Sequence, residues 1–256
     1  MKPARTALIT GASAGLGAEF ARQLAGQGFD LVLVARRRAK LETLADALRR
    51  DSGVAVTVLV ADLAEPDAPA AIEQTLRERG IAVDYLVNNA GAAGPDLLEE
   101  RDWRVQRRYL DLMMISVAEL CHRFVPPMRE RGWGRVINVA SVAGRVARGG
   151  DTNYGPAKAY VVALSEGLSA TLRGSGVNVC ALCPGFTHTE FHDVGGLTDM
   201  KRATPAFIWY DASVVVREGV RAVERGRPVQ VSGRLYRILD PLMQSVWTRP
   251  LFRVSR

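Results

Sequence analysis

Tyr154 and Lys158 stand four residues apart in Tyr154-Gly155-Pro156-Ala157-Lys158, one turn apart on the same face of any helix that carries them. A phenol has an ordinary pKa near 10 and exchanges protons poorly at neutral pH. A neighbouring ammonium favours the phenolate and lowers that value. Upstream by 13 residues, Ser141 in Asn138-Val139-Ala140-Ser141-Val142-Ala143-Gly144 offers a hydroxyl to a carbonyl oxygen on which negative charge develops. Hydride transfer to a ketone leaves an alkoxide, which needs one proton from a positioned acid. The trio therefore reads as catalytic, with Tyr154 the acid/base, Lys158 the modulator of its pKa and Ser141 the ligand of the reacting oxygen. Alone, a Tyr and a Lys at this spacing are an ordinary surface pair, so the reading depends on what lies upstream.

Gly11, Ser13, Ala14, Gly15, Leu16 and Gly17 belong to a glycine-rich turn that follows the apolar run Thr6-Ala7-Leu8-Ile9-Thr10. Glycines there permit a tight turn and close approach of the backbone to a pyrophosphate. The helix that follows would aim N–H groups and its positive dipole end at phosphates. A second apolar run ends at Val34-Ala35 and is followed by Arg36-Arg37-Arg38, whereas its acid, Asp30, lies at its start. An acid at the strand end would bind the ribose 2′-hydroxyl of NAD, and an arginine accommodates the 2′-phosphate of NADP. NADP is the expected cofactor, with Arg36 the first choice for its phosphate. Three cations opening a helix oppose its dipole, which weakens the alternative of a merely solvated turn.

These residues need a scaffold, and the hydrophobic pattern supplies one. Seven apolar runs, at 6–10, 30–35, 54–61, 83–88, 134–140, 177–182 and 228–232, are rich in Val, Ile and Leu on both faces. That is the pattern of strands covered on both sides. Amphipathic stretches such as 15–28 and 38–53 lie between them and end at glycines that can cap a helix. The alternation predicts right-handed βαβ units in an α/β fold, a doubly wound, mostly parallel Rossmann-type sheet of about seven strands with helices on both faces. The region 185–226 is glycine-rich at first and then helical. One Rossmann-type domain is expected over 1–256, with 1–140 mainly dinucleotide-binding, 141–232 catalytic and substrate-binding, and 233–256 a basic tail with an apolar stripe.

At 48% hydrophobic and 24% charged residues, the chain is neither disordered nor collagen-like. No run approaches the roughly 20 apolar residues that span a bilayer, and the start is a poor secretory signal. An odd cysteine count (Cys121, Cys180 and Cys183) points away from a disulfide framework and from zinc, so a cytoplasmic location is expected. The net charge is +7, of which the tail from Gly233, with five arginines against Asp240, supplies +4. Basic groups gathered in separate clusters do not form a nucleic-acid-binding face, and no nucleic acid is expected as a partner.

With these motifs in register the sequence resembles the short-chain dehydrogenase/reductase family in its compact single-domain form, over nearly the whole chain. The resemblance implies an adenine-side contact from Asp62, followed by Leu63. It implies cofactor contacts from Asn89, Ala90 and Gly91 in Asn88-Asn89-Ala90-Gly91. Pro184 and Gly185, with Thr187 and Thr189, match the segment beside the nicotinamide. Tyr154 and Lys158 would also touch the cofactor, Lys158 as ribose anchor. Many members complete a tetrad with an asparagine in the long helix before the fifth strand, and counting back from Ser141 puts Met113 there. A thioether neither donates a hydrogen bond nor holds a water as an amide does. Proton relay to Lys158 is therefore expected to weaken, with Ser116 or a water as the stand-in.

The expected activity is interconversion of a carbonyl and a secondary alcohol with NADP(H), as a homodimer or homotetramer. Such sites take acyl thioesters, steroids, sugars and small ketones; the apolar tail and Phe207, Trp209 and Tyr210 lean toward a hydrophobic or acyl substrate. The alternative, motivated by Met113 alone, is an NADP(H)-sensing or scaffolding protein with weak or no turnover. A sugar-nucleotide epimerase is disfavoured, because no sizeable substrate domain follows Pro184. His188 and His192, near Glu190 and Asp193, read as surface or substrate-loop residues rather than a metal site. His122 and Cys121 read as packing. In the tail, Leu235, Ile238, Leu239, Leu242, Met243, Val246 and Trp247 form a stripe at helical spacing. Asp240-Pro241 should start a fresh turn within it. Docking of the stripe on the core or on a second subunit is preferred to contact with an anionic membrane surface.

Overall fold

In this computed structural model the described residues are 5–147, 149–189, 208–245 and 247–248. Alternate side chains of the strands are buried on opposite sides, so helices must cover both faces of the sheet. The strands are β1 (Thr6–Thr10), β2 (Asp30–Ala35), β3 (Val56–Val60), β4 (Val83–Asn88), β5 (Gly134–Val139), β6 (Val177–Cys183), the short β7 (Thr187–His188) and β8 (Tyr210–Asp211), and β9 (Val229–Val231). The helices are α1 (Gly15–Ala25), α2 (Arg38–Ser52), α3 (Ala68–Glu78), α4 (Trp103–Leu110), α5 (Ser116–Glu130), α6 (Tyr154–Thr171), α7 (Ala212–Glu224) and α8 (Arg234–Gln244). A π-helical segment, Asp111–Ile115, joins α4 to α5.

Seven strands pair in the order β3-β2-β1-β4-β5-β6-β9, all parallel. All seven expected strands are present; β7 pairs with β8 apart from this sheet and carried no sequence signal. Ala7, Ile9, Leu31, Leu33 and Val87 pack against Phe20 and Leu24 of α1, Leu41 of α2 and Val216 and Val220 of α7. Leu8, Val32, Leu86, Val136 and Val179 face the other way, toward Ile72 and Leu76 of α3, Leu120 and Phe124 of α5 and Leu172 at the end of α6. This is a doubly wound Rossmann-type sheet, in which strand order reverses between β1 and β4. Ligands of such sheets bind outside the carboxyl ends of the strands at that reversal. None of the described helices is long and apolar enough to cross a membrane.

Two expectations fail in the tail and one in α5. Asp240-Pro241 does not begin a new turn: α8 runs unbroken through Pro241. Pro241 forgoes only its own bond to the carbonyl four residues back, a cost the helix bears here, and the Asp240 carboxylate is engaged elsewhere, by Arg145. The stripe also splits. Met243 turns inward and Leu235 and Leu239 are half-buried, while Ile238, Leu242 and Trp247 are exposed, and Val246 lies outside the described residues. Cys121 is buried as expected, but His122 beside it is exposed. Cys180 and Cys183, three apart, sit in β6, which sends them into different cores; both are free thiols.

Candidate active site

Thr10 ends β1 and Asn88 ends β4, and the two strand ends are stitched together at the reversal. Thr10 Oγ1 accepts the N–H groups of Asn89 at 2.9 Å and Ala90 at 3.0 Å and donates to Val87 O. Asn89 Nδ2 donates to Thr10 O at 2.9 Å, so its side chain braces the glycine turn from behind. Gly11 takes φ +66°, and a side chain there would meet Asn89 Nδ2 at 2.7 Å. A Cβ on Gly17 would lie 2.3 Å from Gly11 O, so only glycine lets α1 start this close to the strand. Ala14 precedes α1 in extended conformation with no side-chain cap, and the first turn has no acid. The N–H groups of that turn thus suit a phosphate rather than a side chain of the protein. Leu16 packs on the core below.

The cations lie beside this turn. Arg37 Nε and Nη2 contact Ser13 Oγ at 3.1 and 3.0 Å, a contact that the sequence reading, which favoured Arg36, did not single out. Arg36 is exposed, with Nη1 3.8 Å from Asp62 Oδ2. Asp62 Oδ1 accepts the Ala64 N–H at 3.0 Å, and its Oδ2 is reached from α4 by Arg108 Nη2 at 2.6 Å. Arg108 also pairs with Glu65. Nothing in the sequence ties Arg108 to this end of the sheet, because α4 joins it only in the fold. Leu63, expected to touch the cofactor, buries its side chain in the core, as an apolar group at this strand exit gains from packing.

Ser141, Tyr154 and Lys158 converge at the carboxyl end of β5. Ser141 opens a short 3-10 turn, Val142–Arg145, and its Oγ accepts the Ala143 N–H at 3.1 Å. Gly144 lets that turn lie on α6: a Cβ there would stand 2.6 Å from the Lys158 carbonyl carbon and 2.7 Å from Ala159 N. The close approach brings the Ser141 hydroxyl within hydrogen-bonding reach of Tyr154. Asp151 Oδ1 accepts the Gly155 N–H at 2.8 Å and so caps the start of α6. Asn153 holds Pro95 O at 3.1 Å and also Gln106, which ties the 95–100 loop to the same helix start.

Lys158 Nζ is buried, donates to Val139 O at 2.8 Å and lies 5.8 Å from the centre of the Tyr154 ring. Burial pushes its pKa down to about 8. Burial also pushes the Tyr154 phenol up to about 12, helped by the Asp151 charge and opposed by the hydrogen bond with Ser141. The expected lowering by Lys158 is not among these causes. Desolvation of the phenolate dominates here, and the opposing group is the serine.

Met113 is the residue that faces the lysine. A Cβ on Gly91 would stand 3.3 Å from Met113 Sδ and 3.6 Å from Lys158 Nζ, so all three share one wall. Met113 Sδ accepts the Ala92 N–H at 3.4 Å. Ser116, the expected stand-in, donates its Oγ to Leu112 O at 2.8 Å and lines a groove with Leu63, Pro66 and Pro69. The π-helical segment sets this register, and Tyr109, one turn before Met113, packs with it against Ala157 and Tyr154.

The far wall is built from Pro184, Gly185 and Thr187. Pro184 O accepts the Val142 N–H at 3.0 Å, and the buried Thr187 bonds Gly185 O at 3.1 Å. Helix α8 packs against the far wall and the turn after Ser141. Its Asp240 grips Arg145 by both carboxylate oxygens, Gln244 Nε2 donates to Arg145 O at 2.6 Å, and the Tyr236 ring covers Gly185. Phe186 and His188 pack on Trp209, with ring centres 5.1 and 5.2 Å apart respectively. His192, Glu190, Asp193 and Phe207 lie outside the described residues. Among the described residues no three His, Cys, Asp or Glu side chains gather as metal ligands would.

Residues 5–195 match the family model for short chain dehydrogenase. The chain belongs to the short-chain dehydrogenase family of oxidoreductases. It is 34% identical to sulfoacetaldehyde reductase 2 of Chromohalobacter salexigens over 186 residues, which is 72% of this chain and 73% of that one. Among solved structures, a short-chain dehydrogenase from Sphingobium yanoikuyae in complex with NADPH superposes with TM-score 0.81 and 34% identity over 95% of both chains. The bulky-bulky ketone specific alcohol dehydrogenase from Comamonas testosteroni superposes with TM-score 0.77 and 28% identity, covering 95% of this dehydrogenase and 94% of that chain.

Proposed function

We propose that this dehydrogenase interconverts a carbonyl and a secondary alcohol with NADP(H), Tyr154 acting as acid/base with Lys158 and Ser141. The observation that carries the reading is the placement of the three side chains around one point at the end of β5, in the same crevice as the glycine turn. NADPH, when bound, supplies hydride to the carbonyl carbon. Ser141 Oγ hydrogen-bonds the carbonyl oxygen, and Tyr154 Oη gives its proton to that oxygen as negative charge builds on it. A phenol held near 12 is neutral at pH 7, the form that reduction requires, and a lysine near 8 is still mostly charged. A neutral phenol and a charged ammonium are the protonation states from which reduction starts.

The cradle fits the dinucleotide. Uncapped N–H groups of α1, the turn around Gly11 and the backbone of Ala90 and Gly91 would hold its pyrophosphate and ribose side. Arg36 and Arg37, with no acid at the end of β2, would take the 2′-phosphate. The NADPH-bound relative supports the same choice. A bulky, hydrophobic carbonyl substrate is supported by the aromatic wall of Phe186, Trp209 and Tyr236, and the ketone named for the Comamonas relative is of that kind. Assembly as a homodimer or homotetramer belongs to the same reading, and light scattering tests it. The deciding experiment is Tyr154→Phe assayed on a panel of bulky ketones and acyl thioesters. It should abolish NADPH oxidation and leave NADPH binding nearly unchanged. NADPH binding by the parent without turnover of any ketone would favour a sensing protein instead.

A further inference from the structure

Asp62, read above as an adenine-side residue, carries a negative charge next to Arg36, the first choice for a 2′-phosphate that would bring about two more. Its Oδ2 lies 3.8 Å from Arg36 Nη1, so a phosphate drawn to Arg36 approaches a carboxylate at close range. Like charges at such separations repel strongly where water is partly excluded. An uncompensated acid beside Arg36 would also compete with the phosphate for that guanidinium.

Arg108 meets that difficulty from a different element. It lies on α4, 46 residues from Asp62, yet its Nη2 reaches the same Oδ2 oxygen at 2.6 Å, closer than Arg36 does. Its other arm holds Glu65, the second acid of the loop after β3. The side chain is half exposed, and an exposed ion pair contributes little to folding. At this spot it shares one carboxylate oxygen with Arg36 and holds it at the shorter distance, 2.6 against 3.8 Å.

We propose that Arg108 is a specificity-determining residue for the 2′-phosphate, acting by neutralising Asp62 so that Arg36 is released to the phosphate. The proposal rests on the NADP(H) reading above and deepens it. Arg108 is a positioning residue in this sense, since it acts through Asp62 rather than on the reacting atoms.

The test is calorimetric binding of ADP-ribose and of its 2′-phosphate, at low ionic strength, to the parent, Arg108→Met, Asp62→Asn and the double variant. Neither probe carries a nicotinamide, so turnover plays no part. Arg108→Met should weaken the 2′-phosphorylated probe about tenfold, or about 1.4 kcal/mol, and change ADP-ribose by less than about twofold. In the Asp62→Asn background the same change should cost less than about twofold for either probe, because the acid to be neutralised is gone. Equal losses for both probes, no loss, or an undiminished loss in the Asp62→Asn background would overturn the proposal. The last outcome would mean direct contact with the phosphate. Should Arg108→Met fail to bind even ADP-ribose, Arg108→Lys, which keeps the charge, must retain the preference for the phosphate, and its loss there would also overturn the proposal. A parent protein that binds ADP-ribose at least as tightly as its 2′-phosphate would sink the NADP reading itself, whatever Arg108 does.

Discussion

Lys158 carries its charge in a place that disfavours charge, and this makes a prediction about stability. Its pKa falls from 10.5 to about 8 on burial. Between those values the unfolded chain binds more protons than the native one, so stability rises with pH through this window. The gain is on the order of 3 kcal/mol at most. Tyr154 works in the opposite sense only above pH 10, where the unfolded phenol ionises and the native one does not. Urea unfolding at pH 7 to 10 should therefore show the parent gaining on Lys158→Met, which is the more stable of the two at pH 7. A gap that stays constant across this range would mean the lysine is not held near 8. Met113 makes the second prediction at this scale. Met113→Asn puts an amide on the wall shared by Gly91 and Lys158, where the Ala92 N–H is within reach as one partner. The remaining unpaired polar atoms cost about 1 to 3 kcal/mol. Unfolding should start at lower temperature while turnover at saturating ketone rises. Ser116→Ala should leave turnover unchanged, because that hydroxyl already gives its proton to Leu112 O. A large loss in Ser116→Ala would show that the serine has the relay role after all.

At the scale of elements, the chemistry depends on how closely the 3-10 turn after Ser141 can lie on α6. Gly144 sets that separation, and its neighbours are backbone atoms of Lys158 and Ala159, which cannot swing aside. Gly144→Ala should cost about 1 to 3 kcal/mol of stability by overpacking. It should also cut turnover severely by moving Ser141 away from Tyr154, with little effect on the affinity for NADPH. Denaturant unfolding alongside a turnover assay checks this, and normal turnover in a destabilised protein would refute the positioning argument. Helix α8 does a related job from the other side. Arg145, one residue beyond Gly144, is held by Asp240 through a nearly buried bidentate pair, and Tyr236 is pressed on Gly185. The tail thus holds the catalytic turn and the Pro184 segment in fixed relation.

For the molecule as a whole, the cofactor is expected to act as a clamp across the strand reversal, because the residues proposed to bind it follow β1, β2, β3, β4 and β6 or, as Tyr154 and Lys158, lie on α6. A ligand that binds only the native state stabilises it by about 2.7 kcal/mol at 100 times its Kd, several degrees in midpoint for a chain of this length. NADPH should raise the unfolding temperature by that much, and NADH at the same concentration should raise it less. Differential scanning calorimetry with each nucleotide tests the order, and a larger shift with NADH would contradict the assignment of the 2′-phosphate site.

Strand and helix order, the glycine turn and the serine, tyrosine and lysine of the site were legible in the residues alone, because each depends on local spacing. Period-two burial reads as a strand, a Gly-rich strand-to-helix turn reads as a phosphate cradle, and four residues make one helical turn. Even the position of Met113 followed from counting along a helix. What could not be read were relations between groups far apart in the chain. Arg37 rather than Arg36 against Ser13, Arg108 on Asp62 and Asp240 on Arg145 all depend on how packed elements are rotated. The balance of pKa values at Tyr154 is of the same kind. Spacing placed a positive charge near the phenol, but the net direction of the shift is set by how much water the folded chain excludes, which only the tertiary structure decides.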